Sequence, residues 1–308
     1  MKRILITGAS GFIGSALVEA LHSIYSVASP TRAELDLLQP TNVDEYMDRH
    51  RPDMVIHTAA YTDLEGAERE RGNTLAPCWQ TNVEGTTRLV KASVNHGAHC
   101  IVFSSDYVFG GLRDDPGPYK ETHDVFLEDK HMSWYGYTKA RAERLLDAIP
   151  LAHKAVTILR INNVVSSSHS YTNDYLGQMI RLYAQDKLYP LFVDQQIGLT
   201  DLDDVIFFAK RLCNNPIPGV YHISSADYTT PWNIMKHVLS KRVIPYRKPI
   251  RSMQMSLYRT ASQWPRMYHQ YMGLDAEESS RRCAIRLYPW RTIVDRYLSA
   301  ICTKKNYA

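Results

Sequence analysis

The sequence predicts an α/β protein built on a doubly wound parallel sheet, with a smaller α/β part toward its C-terminus. Three observations carry this. Short apolar runs at 3–7, 54–57, 100–103 and 156–159 alternate with segments of helical period. The turn Gly8-Ala9-Ser10-Gly11-Phe12-Ile13-Gly14 joins the first run directly to the first helical segment. Past Arg160 the alternation loosens but continues, with no repeat and no low-complexity linker. The boundaries expected from this are a first domain over 1–160 and a second part over 161–308 that is interleaved with it.

Composition narrows the function classes. The 308 residues are 44% hydrophobic, enough for a sizeable core. Mean hydropathy is −0.32, and no run approaches the roughly 20 apolar residues of a spanning helix. The charged start Met1-Lys2-Arg3 leads into an apolar run too short for a signal segment, so it reads as a strand. The five cysteines are scattered and never form a C-x-x-C pair, which suits reduced thiols of a cytoplasmic protein without a metal cluster. Net charge is +4, and the basic residues concentrate late, from Arg242 to Arg291. Without a nucleic-acid reading motif this is solvated helix surface, plus one or two arginines that meet a phosphate-bearing ligand.

Taken in order, residues 3–7 form a strand and the period Ala16, Leu17, Ala20, Leu21 a helix. Glycines between them let backbone N–H groups approach a pyrophosphate at a helix N-terminus, as in Rossmann-type dinucleotide-binding domains. A second strand over 26–29 ends at Pro30-Thr31-Arg32. No acid stands at that strand end for a ribose 2′-hydroxyl, and Arg32 beside Thr31 suits a 2′-phosphate. NADP(H) is therefore the preferred cofactor and NAD(H) a possible one, with Asp36 and Leu37 reaching the adenosine end. Residues 41–51 read as a helix begun by Thr41 with Asp44 three on. The strand 54–57 ends in the small residues Thr58-Ala59-Ala60 before Tyr61, a place for a flat ligand to lie close. One helix is expected over 76–96, stopped by Gly97. The strand 100–103 then delivers Ser104-Ser105-Asp106-Tyr107 at its carboxyl end, the edge where open α/β sheets bind ligands.

Tyr135-Gly136-Tyr137-Thr138-Lys139 follows on a helix. Tyrosine and lysine four apart share one helix face. A lysine cation there would lower the tyrosine pKa and fit it for proton transfer to an alcohol or sugar oxygen, and a serine at the strand end could bond the reacting oxygen. Beyond a strand at 156–159, Ser166 to Ser170 reads as a mobile loop. Helices are expected over 174–185, 203–213, 232–241, 275–282 and 292–302, and strands over 191–193 and 220–223.

With these pieces in place, the chain resembles the extended short-chain dehydrogenase/reductases, and within them the dTDP-4-dehydrorhamnose reductase branch. The matching stretches are Gly8 to Gly14, Arg51 to Thr62, Asn82 to Thr86, Phe103 to Phe109, Tyr135 to Lys139 and Asp194 to Thr200. The resemblance implies NADPH-dependent reduction of a 4-keto group on a nucleotide-diphosphate deoxysugar. It implies Tyr135 as proton donor, Lys139 as the group that holds the nicotinamide ribose, and Ser105 as the group that polarises the carbonyl. Gly8, Gly11, Phe12, Ile13 and Gly14 would cradle the pyrophosphate, with Arg32, Asp36 and Leu37 around the adenosine and Ala59, Ala60 and Tyr61 along the cofactor. Asn82 would be the structural asparagine of the fold. Asp106, Tyr107, Asn163, Gln195 and Arg266 would face the substrate. A homodimer is a family-level expectation, and no metal, nucleic acid or membrane is expected.

The chain also departs from that pattern. Asn163 stands where these reductases place a tryptophan, His131-Met132-Ser133-Trp134 replaces a Pro-x-Asn before the tyrosine, and Pro265-Arg266 reverses an Arg-Pro pair. Two alternatives therefore stay open: a nucleotide-sugar epimerase that retains its cofactor, and a non-catalytic NADP-binding regulatory subunit like that of methionine adenosyltransferase. The order Ser105-Asp106-Tyr107 weighs against a dehydratase, which would carry Thr-Asp-Glu there.

Overall fold

A computed structural model describes residues 1–167 and 174–305, with side chains as far as 302. Ser168, His169 and Ser170 of the expected mobile loop lie outside the described residues. The strands are β1 (Arg3–Thr7), β2 (Ser26–Ala28), β3 (Met54–His57), β4 (His99–Ser105), β5 (Val156–Ile161), β6 (Val164–Val165), β7 (Leu191–Phe192), β8 (Thr200–Asp201), β9 (Gly219–Ile223) and β10 (Ser252–Met253). Six form the principal sheet in the order β2-β1-β3-β4-β5-β9. β1 pairs in parallel with β2 and β3, and β3 with β4, in the register Leu5↔Val55↔Cys100. The fold is α/β with a doubly wound sheet, as the sequence predicts.

Burial explains why these runs become strands. Every residue of β3, β4 and β5 is buried, the mark of a sheet covered on both faces. One core forms around Leu5, Val55, Cys100, Val102 and Ile158 with the helix residues Val43, Met47, Leu89 and Val90. Strand order reverses at β1, which has β2 on one side and β3 on the other. The crevice outside the carboxyl ends of β1 and β3 is the topological switch point, where such sheets take ligands.

The chain divides into two compact units. The first comprises Met1–Gly110, Thr122–Arg160 and Ile206–Tyr221, the second Gly111–Glu121, Ile161–Val205 and His222–Ala308. The second has its own core, built on Leu176, Met179, Leu199, Ile234, Val238, Trp290 and Val294. It also contains the two parallel pairs β6–β8 and β7–β10. No helix among the described residues is long and apolar enough to cross a membrane.

Several elements differ from expectation for local reasons. The second helix runs Pro40–His50, and no side chain caps it at Gln39. Pro40 takes the first position, where its missing N–H is no loss, so Thr41 falls inside the helix and is not its cap. The long helix expected over 76–96 is a short turn Pro77–Trp79, a wider π-turn Gln80–Gly85 and a helix Thr86–Asn95. An unforeseen helix Leu64–Arg69 is capped by Asp63, whose carboxylate accepts the Gly66 N–H at 3.0 Å. The terminal helices run Glu277–Cys283 and Trp290–Lys305.

Candidate active site

The glycine turn packs against the loop after β3. Gly8 has φ +72°, and a Cβ on it would lie 2.5 Å from the Ala59 nitrogen. A Cβ on Gly14 would lie 2.3 Å from the Gly8 carbonyl oxygen. These two glycines are required by close backbone packing as much as by a ligand. The helix Phe12–Leu21 starts at Gly11 with no side chain capping it and no acid in its first turn. That leaves its positive end suited to an anion from outside.

A cavity of about 460 Å³ opens beside this turn. Of the predicted cofactor residues, Gly8, Arg32, Asp36, Leu37 and Ala59 line it. Gly11, Phe12, Ile13 and Gly14 form the helix start beside it, and Ala60 and Tyr61 lie outside its lining. Ser10, Ser29 and Thr81 also line it, and sequence reading missed them because their positions depend on how turns meet in space. Arg32 is well exposed, with Nε 3.9 Å from Asp36 Oδ1. Asp36 Oδ1 in turn accepts the Leu38 N–H at 3.0 Å. A crevice lined by Gly8 and Arg32, next to the turn that leads into an uncapped helix start, fits a dinucleotide with a 2′-phosphate.

Ser105, Asp106, Tyr107, Tyr135 and Lys139 come together in the same unit. Ser105 ends β4 and is buried. Its Oγ accepts the Tyr107 N–H at 3.2 Å and lies 3.2 Å from Asp106 Oδ1, to which it donates. The Tyr107 ring stands edge-on to Tyr135 with centroids 5.8 Å apart. Tyr135 and Lys139 sit on the helix Trp134–Leu146, whose cap Ser133 accepts the Gly136 N–H at 3.1 Å. Lys139 is buried and its Nζ donates to the Phe103 carbonyl oxygen at 2.7 Å.

The electrostatics correct one expectation. Tyr135 is not acidified: burial raises its pKa, and the nearby Asp106 raises it further, while the Ser105 hydroxyl only partly offsets them. Burial also pulls the Lys139 ammonium down to about 8. Asp106, expected to face substrate, is only 3% exposed, and burial pushes its carboxyl up to about 7.

Apart from Asn82, the supports of this helix were not legible in the sequence. Glu68 Oε1 accepts the Trp134 N–H at 2.7 Å while its carboxylate pairs with Arg71 at 2.9 Å. Arg71 also donates to the Asp129 and Met132 carbonyls and lies 5.8 Å over the Trp134 ring. Asn82, on the π-turn, bonds both the N–H and the carbonyl of Tyr61 and donates to Thr138 Oγ at 3.1 Å. At the far end Glu143 pairs with Arg160 at 2.7 Å, both buried, and accepts from Ser104. Asn163, Gln195 and Arg266 belong to the second unit. The amide of Asn163 donates to the Gly198 carbonyl at 3.0 Å, that of Gln195 to the His269 carbonyl at 2.9 Å, and Arg266 is exposed.

Comparison with known proteins places this arrangement. Residues 1–302 match the family described as RmlD substrate binding domain. The chain belongs to this family. Relatives within reach of the RmlD family include a dTDP-4-dehydrorhamnose reductase of Aggregatibacter actinomycetemcomitans, 31% identical over 73% of this chain and 74% of the relative. A dTDP-L-rhamnose 4-epimerase of Burkholderia thailandensis is 30% identical over 66% of this chain and 70% of its own. Among solved structures, dTDP-4-dehydrorhamnose reductase from Bacillus anthracis in complex with NADP superposes with a TM-score of 0.80. It is 26% identical over 96% of this chain and 99% of that chain.

Proposed function

We propose that the protein is an NADPH-dependent oxidoreductase that reduces the 4-keto group of a nucleotide-diphosphate deoxysugar, in the manner of dTDP-4-dehydrorhamnose reductase. The observation that carries this is the grouping of Ser105 at the carboxyl end of β4 with Tyr107, whose ring meets Tyr135 edge-on at 5.8 Å, and with Tyr135 and Lys139 on one helix, in the same unit as a cavity that fits the cofactor. NADPH bound there supplies the hydride. Tyr135 gives its phenolic proton to the oxygen of the reduced carbonyl, and Ser105 holds that oxygen before and during the transfer. Lys139 and the helix start at Gly11 serve the ribose and the pyrophosphate. Arg32 favours the 2′-phosphate, so NADPH is preferred and NADH accepted. The first unit is the dinucleotide-binding domain, and the second supplies the sugar-nucleotide site, with Arg266 toward the diphosphate and Asn163 and Gln195 shaping its wall. The family resemblance supports a cytoplasmic homodimer, which light scattering of the purified protein checks.

The test follows NADPH and NADH oxidation over a panel of nucleotide 4-keto sugars. Reduction of one member, with NADPH favoured, is the expected result. Tyr135→Phe is expected to lower kcat by about 10²–10⁴-fold while dinucleotide binding persists. Binding of NADPH with no reduction of any keto sugar, together with inversion of a 4-hydroxyl, would overturn the reductase reading in favour of the epimerase.

A further inference from the structure

One buried ion pair holds both ends of the turn that presents Ser105. β4 ends in Phe103-Ser104-Ser105, and the turn Asp106–Val108 leads on to Phe109. The Ser104 hydroxyl donates to Glu143 Oε1. Arg160 meets the same carboxylate as a fork: Nη2 reaches Oε2 at 2.7 Å, and Nε reaches Oε1 at 3.2 Å and Oε2 at 3.1 Å. The Arg160 guanidinium also lies 5.0 Å over the Phe109 ring. Glu143 therefore grips the residue before Ser105, and Arg160 the residue after the turn. Ser104, Phe109, Glu143 and Arg160 are all at most 5% exposed.

The helix Trp134–Leu146 adds a second tie. Lys139 Nζ donates to the Phe103 carbonyl at 2.7 Å, and Glu143 stands four residues further on, on the same helix face. Two successive residues of the strand are thus fastened to the helix that carries Tyr135, one by its carbonyl and the next by its hydroxyl. Taking two charges out of water costs about as much as their attraction returns, so a buried pair adds little net stability. What it adds is direction: a guanidinium fork fixes the plane of the carboxylate, and with it the oxygen that receives Ser104. We propose that Glu143 and Arg160 are positioning residues for the reaction, a buckle that sets Ser105 and its turn against Tyr135 and Lys139. The proposal rests on the reductase reading above. Both residues act through the groups they hold, Ser104 and Phe109, and a displacement of about 1 Å among reacting groups is enough to cost about 10²-fold in rate.

Two variants test this. Ser104→Ala removes the hydroxyl and leaves the ion pair; kcat is expected to fall about tenfold, with KM for the keto sugar and the Kd for NADPH within about twofold of the parent. Glu143→Met combined with Arg160→Met replaces the pair by apolar chains, an exchange that buried pairs often tolerate. This double variant is expected to keep a cooperative melt and NADPH binding while kcat falls about 10²-fold. Amide exchange of the substrate-free protein gives a readout independent of activity. The Tyr107 N–H goes to Ser105 Oγ at 3.2 Å and the Phe109 N–H to the Asp106 carbonyl at 3.1 Å. Both are expected to exchange about tenfold faster in each variant, with the amides of β1 and β3 unchanged. A kcat within about twofold of the parent in either variant, or turn amides that exchange no faster, overturns the proposal. A double variant that loses its cooperative melt, or loses kcat and NADPH binding together, shows a merely structural role and overturns it as well. If the parent reduces no keto sugar, the reductase reading fails, and exchange at Tyr107 and Phe109 still decides whether the ion pair holds the turn.

Discussion

At Gly136 the candidate site has no room for a single methyl group. A Cβ there would lie 2.3 Å from the Tyr107 carbonyl oxygen and 3.0 Å from Ser133 Oγ. The Tyr107 backbone cannot give way, so Gly136→Ala must push the helix that carries Tyr135 off the Ser105 turn. The expected loss is about 1–3 kcal/mol of stability, read by chemical denaturation, with a fall in kcat larger than any change in cofactor affinity. His57 gives a second prediction at this scale. Its ring lies between Thr7 Oγ at 2.7 Å and Thr86 Oγ at 3.0 Å, and burial, with Lys139 nearby, lowers its pKa from 6.5 to about 3. The folded protein therefore resists a proton that the unfolded chain accepts. Stability carried by neutral His57 is full above about pH 6.5 and is lost progressively as pH falls toward 3. His57→Gln cannot titrate, so melting curves from pH 7 to pH 4 should fall less steeply for the variant than for the parent. The residue types at Ser105, Tyr135 and Lys139 were legible from spacing, because a turn of helix and a strand end fix which side chains share a face. Their protonation was not, because it depends on burial, which spacing does not report.

The elements were legible where one local rule decided them. Runs such as Met54–His57 are too apolar to be anything but buried, and the glycine turn announces a strand-to-helix corner. The interruption at Gln80–Gly85 could not be read, since nothing in its composition opposes an ordinary helix. The π-turn is set by what Asn82 binds: Tyr61 on the β3 loop and Thr138 on the catalytic helix. The Glu68–Arg71 pair is hidden in the same way, as two charges three apart on what looks like a solvated surface. Glu68 is buried, and its carboxylate holds both the guanidinium and the first N–H of the catalytic helix. Glu68→Ala leaves Arg71 without its anion and Trp134 N–H without its acceptor. Breaking such a pair from one side is expected to cost about 3 kcal/mol, measured by denaturation. Activity should fall too, because Tyr135 follows Trp134 in the chain. Arg71→Ala in the Glu68→Ala background should cost little more, since the two groups act as one.

At the scale of the whole molecule, the sequence shows where domains begin more clearly than where they are completed. The sequence puts a boundary at Arg160 and an interleaved second part beyond it, without showing which later segment returns; the first compact unit takes in Ile206–Tyr221. That return segment brings most of β9 to the open side of β5, and Thr157 Oγ donates to the Ile217 carbonyl at 2.7 Å. Its helical part sets Cys213 Sγ 3.5 Å from the sulfur of Met54, puts the Cys213 carbonyl under Lys2 Nζ at 2.7 Å, and gives Tyr25 an acceptor in Asn214 at 2.6 Å. Phe208 and Leu212 are fully buried. Hydrophobic period identifies a helix and a strand here but is silent about which core receives them. A fragment ending at Arg160 would leave β5, buried at every residue in the full chain, as a bare sheet edge and would lose several buried side chains, each worth about 1.5–3 kcal/mol. Against a typical total of about 5–15 kcal/mol that loss is decisive. Residues 1–160 alone are expected to show no cooperative thermal transition by circular dichroism and to aggregate. The same residues joined through a flexible glycine-serine linker to 206–221 should recover a cooperative melt. Cooperative unfolding of the shorter fragment would instead mean that the return segment decorates the first unit without completing it.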